Sequence, residues 1–334
     1  MVELHFSFII PVYNRPQEIR ELLESLLKVD GAFDIVIIED GSQETCENVV
    51  DEFKSLLNIS YYFKTNSGPG DSRNFGMKKA KGNYFIILDS DVIVPSDYLQ
   101  VVSDQLRERY LDCYGGADKA LDTFTSTQKA IDYAMTSLLT TGGIRGNVRS
   151  KISRSYEPRS FNMGISKSAF IESKGFGKLH PGEDPDLSIR LKKLGFKVGY
   201  IDGAHVYHKR RADLSKFASQ VFKFGLVRPI LISRYPESAK PTYWFPSVYT
   251  FLLLLGIILL VFKLHFILYF FALYNVLIFV DTLIDYKNLK IAILSILATN
   301  LQFLSYGAGF TLSYLKIHIL GQSPEKTFPK LFFN

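Results

Sequence analysis

Cysteine is scarce in this chain: Cys46 and Cys113 are the two present among 334 residues. Two thiols are too few for the disulfide framework of a small secreted protein or for a zinc site. No internal repeat or low-complexity segment occurs either, so a solenoid or a disordered linker is not expected. The cysteine content is typical of a protein whose folded part lies in a reducing cytoplasm.

The phosphate-binding fingerprints of two large enzyme classes are also absent. No Walker lysine motif occurs, and the glycine-rich stretch 68–73 lacks the third glycine of a dinucleotide-binding turn. The start of the chain contains Glu3 and no Lys or Arg before its apolar run, a pattern that differs from a signal peptide. We therefore do not expect a P-loop enzyme, a dehydrogenase or a cleaved leader.

Apolar runs alternate with helical patterns through the first part of the chain. The runs that predict buried strands are residues 6–10, 34–38, 59–63 and 84–88. A helix is predicted after the first run, because Pro16 is followed by apolar residues on one helical face. These residues are Ile19, Leu22, Leu23, Leu26 and Leu27. The alternation predicts an α/β fold with a doubly wound sheet, whose ligand crevice lies at the carboxyl ends of the strands.

Acidic residues follow two of these predicted strands. Glu39 and Asp40 follow the second run, and Asp89-Ser90-Asp91 follows the fourth. Two carboxylates spaced by one residue can face different ligands at a strand end, because side-chain directions diverge where the pleat ends. Such a turn suits a divalent cation held against a nucleotide diphosphate. The triplet by itself is equally compatible with a surface turn, in which Asp and Ser bind the backbone.

Several motifs in a fixed order, from residue 5 to about residue 225, together resemble the family 2 glycosyltransferases. They are Pro11-Val12-Tyr13-Asn14, Glu39-Asp40-Gly41-Ser42, Asn66-Ser67-Gly68, Arg73-Asn74-Phe75-Gly76, Asp89-Ser90-Asp91, Asn162-Met163-Gly164, Gly182-Glu183-Asp184-Pro185-Asp186-Leu187 and His205-Val206-Tyr207-His208-Lys209. The chain departs from the family pattern at Arg15, where many relatives have an acid, and at Glu39, which replaces an aspartate. The resemblance implies the GT-A fold, a doubly wound mixed sheet that binds a nucleotide sugar, followed here by an α-helical transmembrane region.

The resemblance also implies sites for a nucleotide-sugar donor and for an acceptor. Asp40 would accept a hydrogen bond from the base, Arg73 would lie near the diphosphate, and Asp89 would face the ribose or a metal-bound water. The donor set that it implies is Pro11, Val12, Tyr13, Asn14, Asp40, Asn66, Arg73, Asp89 and Ser90. The acceptor set is Asn162, Met163 and Glu183.

A divalent metal, Mg²⁺ or Mn²⁺, is implied as the cofactor. Asp91 would be its main protein ligand, with Asp89 and His208 as further ligands. Hard cations of this kind prefer oxygen ligands and leave positions open for phosphate oxygens, so they neutralise a departing diphosphate. For His208 a second interpretation stays open, a solvated histidine beside the basic residues 209–211.

Asp184 is predicted to be the general base. A carboxylate there would take the proton from an acceptor hydroxyl while the hydroxyl oxygen attacks the anomeric carbon, which inverts that centre. Glu183 would position the acceptor or raise the pKa of Asp184 through its like charge. The alternative is structural: Asp184 precedes Pro185, a favoured first helical residue, and would then be a helix N-cap.

The composition changes after the predicted catalytic domain, residues 1–210. Residues 211–242 are basic and amphipathic, which indicates a membrane-surface segment. Nucleic-acid binding is the less favoured use of this segment, because apolar stretches follow it. Residues 243–320 contain about three stretches long enough to cross a bilayer, and residues 321–334 form a tail.

The distribution of charge predicts a multi-pass protein of the cell membrane. The basic segment before the first apolar stretch places the catalytic domain in the cytoplasm. Three crossings would export a tail that carries Lys316, Lys326 and Lys330, against the charge bias. A re-entrant last stretch around Gly307 and Gly309 is the alternative, and the sequence leaves both open.

These features predict a membrane-anchored, metal-assisted inverting glycosyltransferase. Its donor would be a nucleotide sugar, with uridine diphosphate as the favoured carrier on family grounds, and its acceptor a lipid-linked or glycan molecule of cell-envelope polysaccharide or glycolipid synthesis. The basic loop from Thr140 to Pro158 is expected near the acceptor. Two other classes stay open. One is a membrane-bound sugar nucleotidyltransferase, and the other is a non-catalytic component of a polysaccharide-synthesis complex.

Overall fold

The structure is a computed structural model that describes residues 3–119, 124–141, 156–208 and 213–333. The chain forms two compact units. Of the described residues, the first unit contains 3–119, 156–208, 332 and 333, and the second contains 124–141 and 213–331. Most of the predicted acceptor loop, residues 142–155, and the basic residues 209–212 lie outside the described part.

Eight strands of the described residues form one mixed sheet in the first unit. They are β1 (Phe6–Val12), β2 (Phe33–Asp40), β3 (Ile59–Lys64), β4 (Tyr84–Leu88), β5 (Val92–Ile93), β6 (Cys113–Lys119), β7 (Asn162–Ser166) and β8 (Val198–His208). Their order across the sheet is β3-β2-β1-β4-β7-β6-β8-β5. β1 runs parallel to β2 and β4, whereas β7 runs antiparallel to β4 and β6. The mixed, doubly wound sheet that the resemblance implied is therefore confirmed.

Helices cover both faces of this sheet. In the first unit they are α1 (Pro16–Leu26), α2 (Glu47–Phe53), α3 (Pro69–Lys79), α4 (Tyr98–Glu108), α7 (Lys167–Ser173) and α8 (Glu183–Lys193). Alternate residues of β1 enter two separate cores, because side chains alternate along a strand. Phe8 packs with Leu22 of α1, whereas Ile9 packs with Met77 of α3 and Leu187 of α8.

The apolar face predicted for α1 is buried except at its end. Ile19, Leu22, Leu23 and Leu26 are inaccessible to solvent, but Leu27 is 40% exposed. The helix ends at Leu26, so Leu27 is its C-cap and no longer lies on the apolar stripe.

The second unit consists of helices. They are α5 (Ser126–Thr136), α6 (Leu138–Thr141), α9 (Leu214–Arg234), α10 (Phe245–Leu259), α11 (Phe266–Tyr286), α12 (Leu289–Tyr314) and α13 (Pro324–Thr327). Three segments of the described chain are long and apolar enough to cross a membrane: Pro241–Phe262, Phe266–Tyr286 and Leu289–Ile319. α5, α9 and α12 share a core that contains Ala134, Phe217 and Ala298.

Two residues from the end of the chain belong to the first unit. Phe332 forms an antiparallel bridge with Leu179, and the N–H of Phe333 donates to the carbonyl of Lys178 at 3.0 Å. The ring of Phe333 lies against Gly68, where a Cβ atom would come within 2.5 Å of the ring, and its centroid lies 5.7 Å from that of His180. The chain therefore returns to the unit in which it begins.

Candidate active site

Asp40, at the end of β2, holds the loop that leads into α3. Its Oδ1 accepts a hydrogen bond from the N–H of Ser67 and its Oδ2 one from the N–H of Gly68, both at 3.0 Å. Lys64 forms an ion pair with the same carboxylate. Gly68 has a φ of 92°, a conformation that favours glycine. Asp40 is thus fixed at the carboxyl edge of the sheet, and its contact with a nucleotide base stays a prediction.

Asp91 and Arg15 form a short ion pair across neighbouring strand ends. Arg15 follows β1 and Asp91 follows β4, and these two strands lie side by side in the sheet. Arg15 is the position at which the chain departs from the family pattern, so the departure brings a cation to the carboxylate predicted to bind the metal. The Asp91 side chain remains 16% exposed, which leaves it accessible to a ligand.

Arg73 of α3 connects the end of β4 to the start of α8. Its Nη2 donates to Asp89 Oδ1 at 2.9 Å, and its Nη1 donates to Glu183 Oε1 at 3.0 Å. Burial alone lowers the pKa of Arg73, but the charges of Asp89 and Glu183 outweigh burial and raise it above its usual value. His180 Nδ1 lies 2.9 Å from the same Glu183 oxygen. The guanidinium therefore fixes two carboxylates from distant parts of the chain.

Asp184 lies in the first turn of α8, next to this network. The helix begins at Glu183, and its N-cap is Gly182, which makes no side-chain cap, so the N-cap interpretation of Asp184 is wrong. Asp184 Oδ2 instead accepts a hydrogen bond from the N–H of Ser160 at 3.1 Å. Its Oδ1 is shielded from solvent and has no hydrogen-bond partner in the described part of the chain. A shielded acceptor without a donor is costly, which favours a site that receives a proton or a ligand hydroxyl.

The adjacent carboxyl groups of α8 have opposite pKa shifts. Burial and the negative charge of Glu183 raise the pKa of Asp184 to about 6, although Arg73 and Arg159 oppose the shift. Burial also acts to raise the pKa of Glu183, but the hydrogen bond and charge of His180 and the charge of Arg73 outweigh it and hold this pKa below its usual range. Glu183 is therefore a fixed negative charge, and Asp184 is the group able to exchange a proton near neutral pH.

The other residues of the predicted donor set lie along the same edge of the sheet. Pro11 and Val12 end β1, and Tyr13 follows them with 52% of its surface exposed. Asn14 Oδ1 accepts hydrogen bonds from the N–H groups of residues 43 and 44, and Asn66 Nδ2 donates to the carbonyl of Asp40. Ser90 is buried between the two aspartates of its turn. These amides therefore shape the loops, while Tyr13 presents a free aromatic surface.

Asn162 and Met163 of the predicted acceptor set do not reach this site. Met163 is fully buried in the core between the sheet and α3 and α8. Asn162 accepts a hydrogen bond from the Tyr98 hydroxyl, and its amide donates to the carbonyls of Ala117 and Ala204. Both residues are at the start of β7, and this strand is buried along its whole length.

The predicted metal ligands lie at one corner of the sheet. His208 ends β8 and its backbone pairs with Val92, the residue after Asp91, but the His208 side chain lies outside what the structure describes. No group of three His, Cys, Asp or Glu residues in the described ranges is able to hold a metal by itself. Asp91 is paired with Arg15 and Asp89 with Arg73, so binding of Mg²⁺ or Mn²⁺ by these carboxylates together with substrate phosphates stays a prediction.

Three contacting residues were not identified from the sequence. His180 binds Glu183, Lys64 binds Asp40, and the backbone of Ser160 binds Asp184. His180 lies three residues before Glu183, but α8 begins only at Glu183, so this spacing gives no helical signal. The other two contacts join segments at least 24 residues apart and carry no local signal.

A mixed GT-A sheet with acidic residues at its carboxyl edge, leading to a carboxyl pair on α8, defines the chain as a glycosyltransferase. The family model for glycosyl transferase family 2 matches residues 7–173, which is half of the chain. The protein belongs to this family.

Curated relatives include enzymes that act on polymers. The chain is 33% identical over 114 residues to poly(ribitol-phosphate) beta-N-acetylglucosaminyltransferase TarS of Staphylococcus aureus, a match that covers 33% of this chain and 20% of TarS. It is 26% identical over 235 residues to chondroitin synthase of Escherichia coli, covering 61% of this chain and 34% of that enzyme. The chain thus spans a fifth to a third of the length of these relatives.

Solved structures share the fold over most of the chain. TarS residues 1–349 in complex with UDP-GlcNAc has a TM-score of 0.52 and 18% identity, and the match covers 95% of this chain and 92% of that one. The mannosyltransferase PcManGT from Pyrobaculum calidifontis, in complex with GDP-Man and Mn²⁺, has a TM-score of 0.62 and 12% identity, covering 90% and 88%. At these identities the likeness is one of fold.

Proposed function

We propose that this protein is a membrane-anchored inverting glycosyltransferase. It moves a sugar from a nucleotide diphosphate sugar, with uridine diphosphate as the favoured carrier, to a lipid-linked or glycan acceptor of the cell envelope. The observation that carries the proposal is the unpaired, shielded Oδ1 of Asp184, which lies beside the Arg73 network at the carboxyl edge of the sheet. It supports a general base next to a donor site.

Asp184 performs the proton transfer in this mechanism. Its carboxylate takes the proton of an acceptor hydroxyl while the hydroxyl oxygen forms a bond to the anomeric carbon. The bond from that carbon to the diphosphate oxygen breaks, and its electron pair leaves with the nucleoside diphosphate. Attack occurs opposite the leaving group, so the anomeric centre inverts. The raised pKa of Asp184 supports this role, because a base with a pKa near the working pH is the most effective.

Arg73 and Glu183 position the base. Arg73 binds Glu183 and Asp89 at the same time, so the start of α8 is tied to the end of β4. The ionised Glu183 lies next to Asp184 in the chain and raises its pKa. We infer that this pair sets the proton affinity of the base.

Asp91, with Asp89 and His208, would hold Mg²⁺ or Mn²⁺ against the diphosphate of the donor. The ion supplies positive charge that stabilises the leaving nucleoside diphosphate. Arg15 is paired with Asp91 at this edge of the sheet, so the ion and the guanidinium would share this carboxylate.

An acceptor from the membrane is supported by the path of the chain. α5 and α6 are inserted between β6 and β7 of the sheet, yet they belong to the helical second unit. Ser160, whose N–H binds Asp184, follows α6 in the sequence and belongs to the first unit. The segment that supports the base is thus joined in sequence to the unit with the apolar helices. The names of the polymer-modifying relatives support a glycan or polyol-phosphate acceptor.

The test is donor turnover by the purified full chain in detergent. UDP-GlcNAc, UDP-glucose, UDP-glucuronate and GDP-mannose are each supplied with Mn²⁺ or with EDTA, and release of the nucleoside diphosphate is measured with and without a lipid extract of the host cells. We expect release from one donor that depends on Mn²⁺ and increases with lipid. Failure of every donor, or formation of pyrophosphate from a sugar phosphate and a nucleoside triphosphate, would overturn the proposal.

A further inference from the structure

We propose that the apolar region crosses the membrane twice, by a hairpin of α10 and α11, and that α12 does not cross. The partner of the exposed α10 and α11 surfaces is then the hydrocarbon core of the bilayer. This topology rests on the membrane attachment in the proposed function and is independent of its chemistry.

The contacts of residues 332 and 333 with the first unit determine whether the chain crosses the membrane an even or an odd number of times. Residues up to 208 and residues 332 and 333 belong to the same folded unit, although the three apolar segments lie between them in sequence. Phe332 bridges Leu179, and Phe333 contacts Gly68 and His180. A folded unit lies on one side of a membrane, so the chain must return to the side that it left. The number of crossings is therefore even, and three crossings are excluded.

The lengths and surfaces of α10 and α11 suit a transmembrane hairpin. At about 1.5 Å per residue, the segments Pro241–Phe262 and Phe266–Tyr286 span roughly 33 and 31 Å, close to the hydrocarbon thickness of about 30 Å. Only 11% of each apolar window is buried in the protein. Outward apolar surface on this scale suits contact with lipid. The residues between the two helices, Lys263 to His265, are exposed and form the tip of the hairpin.

α12 is more buried than α10 and α11, although it also contacts both: Tyr249 Oη donates to Asn300 Oδ1, and Asn300 Nδ2 donates to Asn275 Oδ1. In its apolar window 39% is buried, against 11% for the other two segments. It packs on α9 through Gly309, where a Cβ atom would lie 2.3 Å from the carbonyl oxygen of Phe222. The hydroxyl of Ser313 donates to the carbonyl of Leu226 at 2.7 Å. α9 carries exposed charges such as Lys223, so a helix held along it does not suit the hydrocarbon core.

The distribution of lysines agrees with two crossings. With the hairpin topology, the side of the membrane that holds the catalytic unit also receives the lysines that follow the hairpin in sequence. They are Lys287, Lys290, Lys316, Lys326 and Lys330. The opposite side receives Lys263 at the hairpin tip. With three crossings, Lys316, Lys326 and Lys330 would be exported, although positive loops remain on the cytoplasmic side. Chain path and charge thus favour the same arrangement.

Single cysteines and a membrane-impermeant maleimide test this topology. The natural cysteines, Cys46 and Cys113, are fully buried, so the unsubstituted chain gives the background. Glu172→Cys marks the catalytic unit, Leu264→Cys the hairpin tip, and Lys326→Cys the segment after α12; all three positions are exposed. Sealed membrane vesicles of known orientation are labelled before and after they are opened with detergent, and Lys330→Cys repeats the tail measurement.

We expect Lys326→Cys and Glu172→Cys to be labelled from the same side, and Leu264→Cys only from the other. Labelling of Lys326→Cys from the side of Leu264→Cys would show an odd number of crossings and overturn the inference. Labelling of all three from one side would show a hairpin that does not cross, which also overturns it. Retention of the protein in carbonate-washed membranes tests the attachment separately, and donor turnover tests the chemistry. The topology and the proposed function therefore fail in distinguishable ways.

Discussion

The donor side of the site and the start of α8 differ in how their carboxylates are neutralised. On the donor side every predicted ligand-binding carboxylate has a cation as its neighbour: the pairs are Asp40–Lys64, Asp89–Arg73 and Asp91–Arg15. Asp184 has one backbone hydrogen bond and one oxygen without a partner in the described chain. A nearby opposite charge favours the ionised form of a carboxylate, whereas burial and the like charge of Glu183 raise the pKa of Asp184. The two regions therefore differ in the charges around their carboxylates, and the proposed function assigns them to different steps of one reaction.

The largest effect is expected from removal of the unpaired carboxylate. Asp184→Asn keeps the size of the side chain and an oxygen for the N–H of Ser160 but cannot accept the acceptor proton. We expect kcat to fall by roughly two to four orders of magnitude, with donor affinity nearly unchanged. Steady-state kinetics with the donor identified in the purified system measures both values.

A matched control is available two residues further along the same helix. Asp186 pairs with Arg190 at 2.9 Å, so Asp186→Asn makes the same chemical change at a structural position. We expect Asp186→Asn to lower the stability of the catalytic unit and to keep most of the wild-type turnover. Near wild-type turnover of Asp184→Asn would contradict its role as the base.

The next prediction concerns Arg73, which pairs with a carboxylate of each region: Asp89 on the donor side and Glu183 at the start of α8. Arg73→Met leaves Glu183 buried and Asp89 partly buried without their common cation. We expect the catalytic unit to lose about 3 kcal/mol of stability or more, because breaking a buried ion pair strands the remaining charge. Hydrogen exchange of the backbone amides in α3 and α8 measures this loss. Arg107→Met, which breaks an exposed pair with Asp104, should change protection by less than about 0.5 kcal/mol.

A smaller, more specific effect is expected at the metal-binding carboxylate. In Asp91→Ala, Mn²⁺ should no longer increase the affinity for the nucleotide sugar. The loss should be about tenfold or more, since even residues that only support metal ligands contribute this much. Calorimetric titration of the donor with and without Mn²⁺ measures it, and the exposed Asp97→Ala serves as the control. An unchanged response to Mn²⁺ would remove Asp91 from this role.

The smallest expected change is a shift of the pH profile. Wild-type kcat/KM should fall as the pH drops below about 6, because Asp184 must be deprotonated to act as a base. Glu183 raises that pKa by its charge, so Glu183→Gln lowers the pKa and moves the acid limb to lower pH. The exposed Glu172→Gln should leave the limb in place. If the acid limb of the pH profile in Glu183→Gln stays at the same pH or moves to higher pH, Glu183 does not raise the pKa of Asp184.

The fold was predictable wherever the signal is local. The apolar runs of β1, β2 and β4 and the proline-initiated helix α1 were identified from periodicity, because each depends on its own residues. The acidic residues after β2 and β4 follow from the ends of these runs, whereas the other motif positions rest on the family resemblance. The burial of Asn162 and Met163 could not be predicted from the sequence, because their side-chain directions depend on the antiparallel pairing of β7 with β4.

Long-range organisation was beyond the reach of the sequence pattern. Nothing in residues 126–141 indicates that α5 and α6 leave the sheet-containing unit, because their amphipathic pattern suits any apolar partner. The pairing of Arg15 with Asp91 joins residues 76 positions apart and depends on β1 lying next to β4. Likewise, only the folded structure shows that Asp184 Oδ1 has no hydrogen-bond partner among the described residues.

The position of Phe332 and Phe333 in the first unit also fixes an order of events during synthesis. A ribosome makes the sheet-forming residues first and these two phenylalanines only after all three apolar helices. Domains generally fold as units while the chain emerges, with the N-terminal part first. The contacts of Phe333 with Gly68 and His180 therefore form after the sheet-forming residues have been made. The loop that contains Gly68 thus gains its contact with Phe333 only after the three apolar segments have been synthesised.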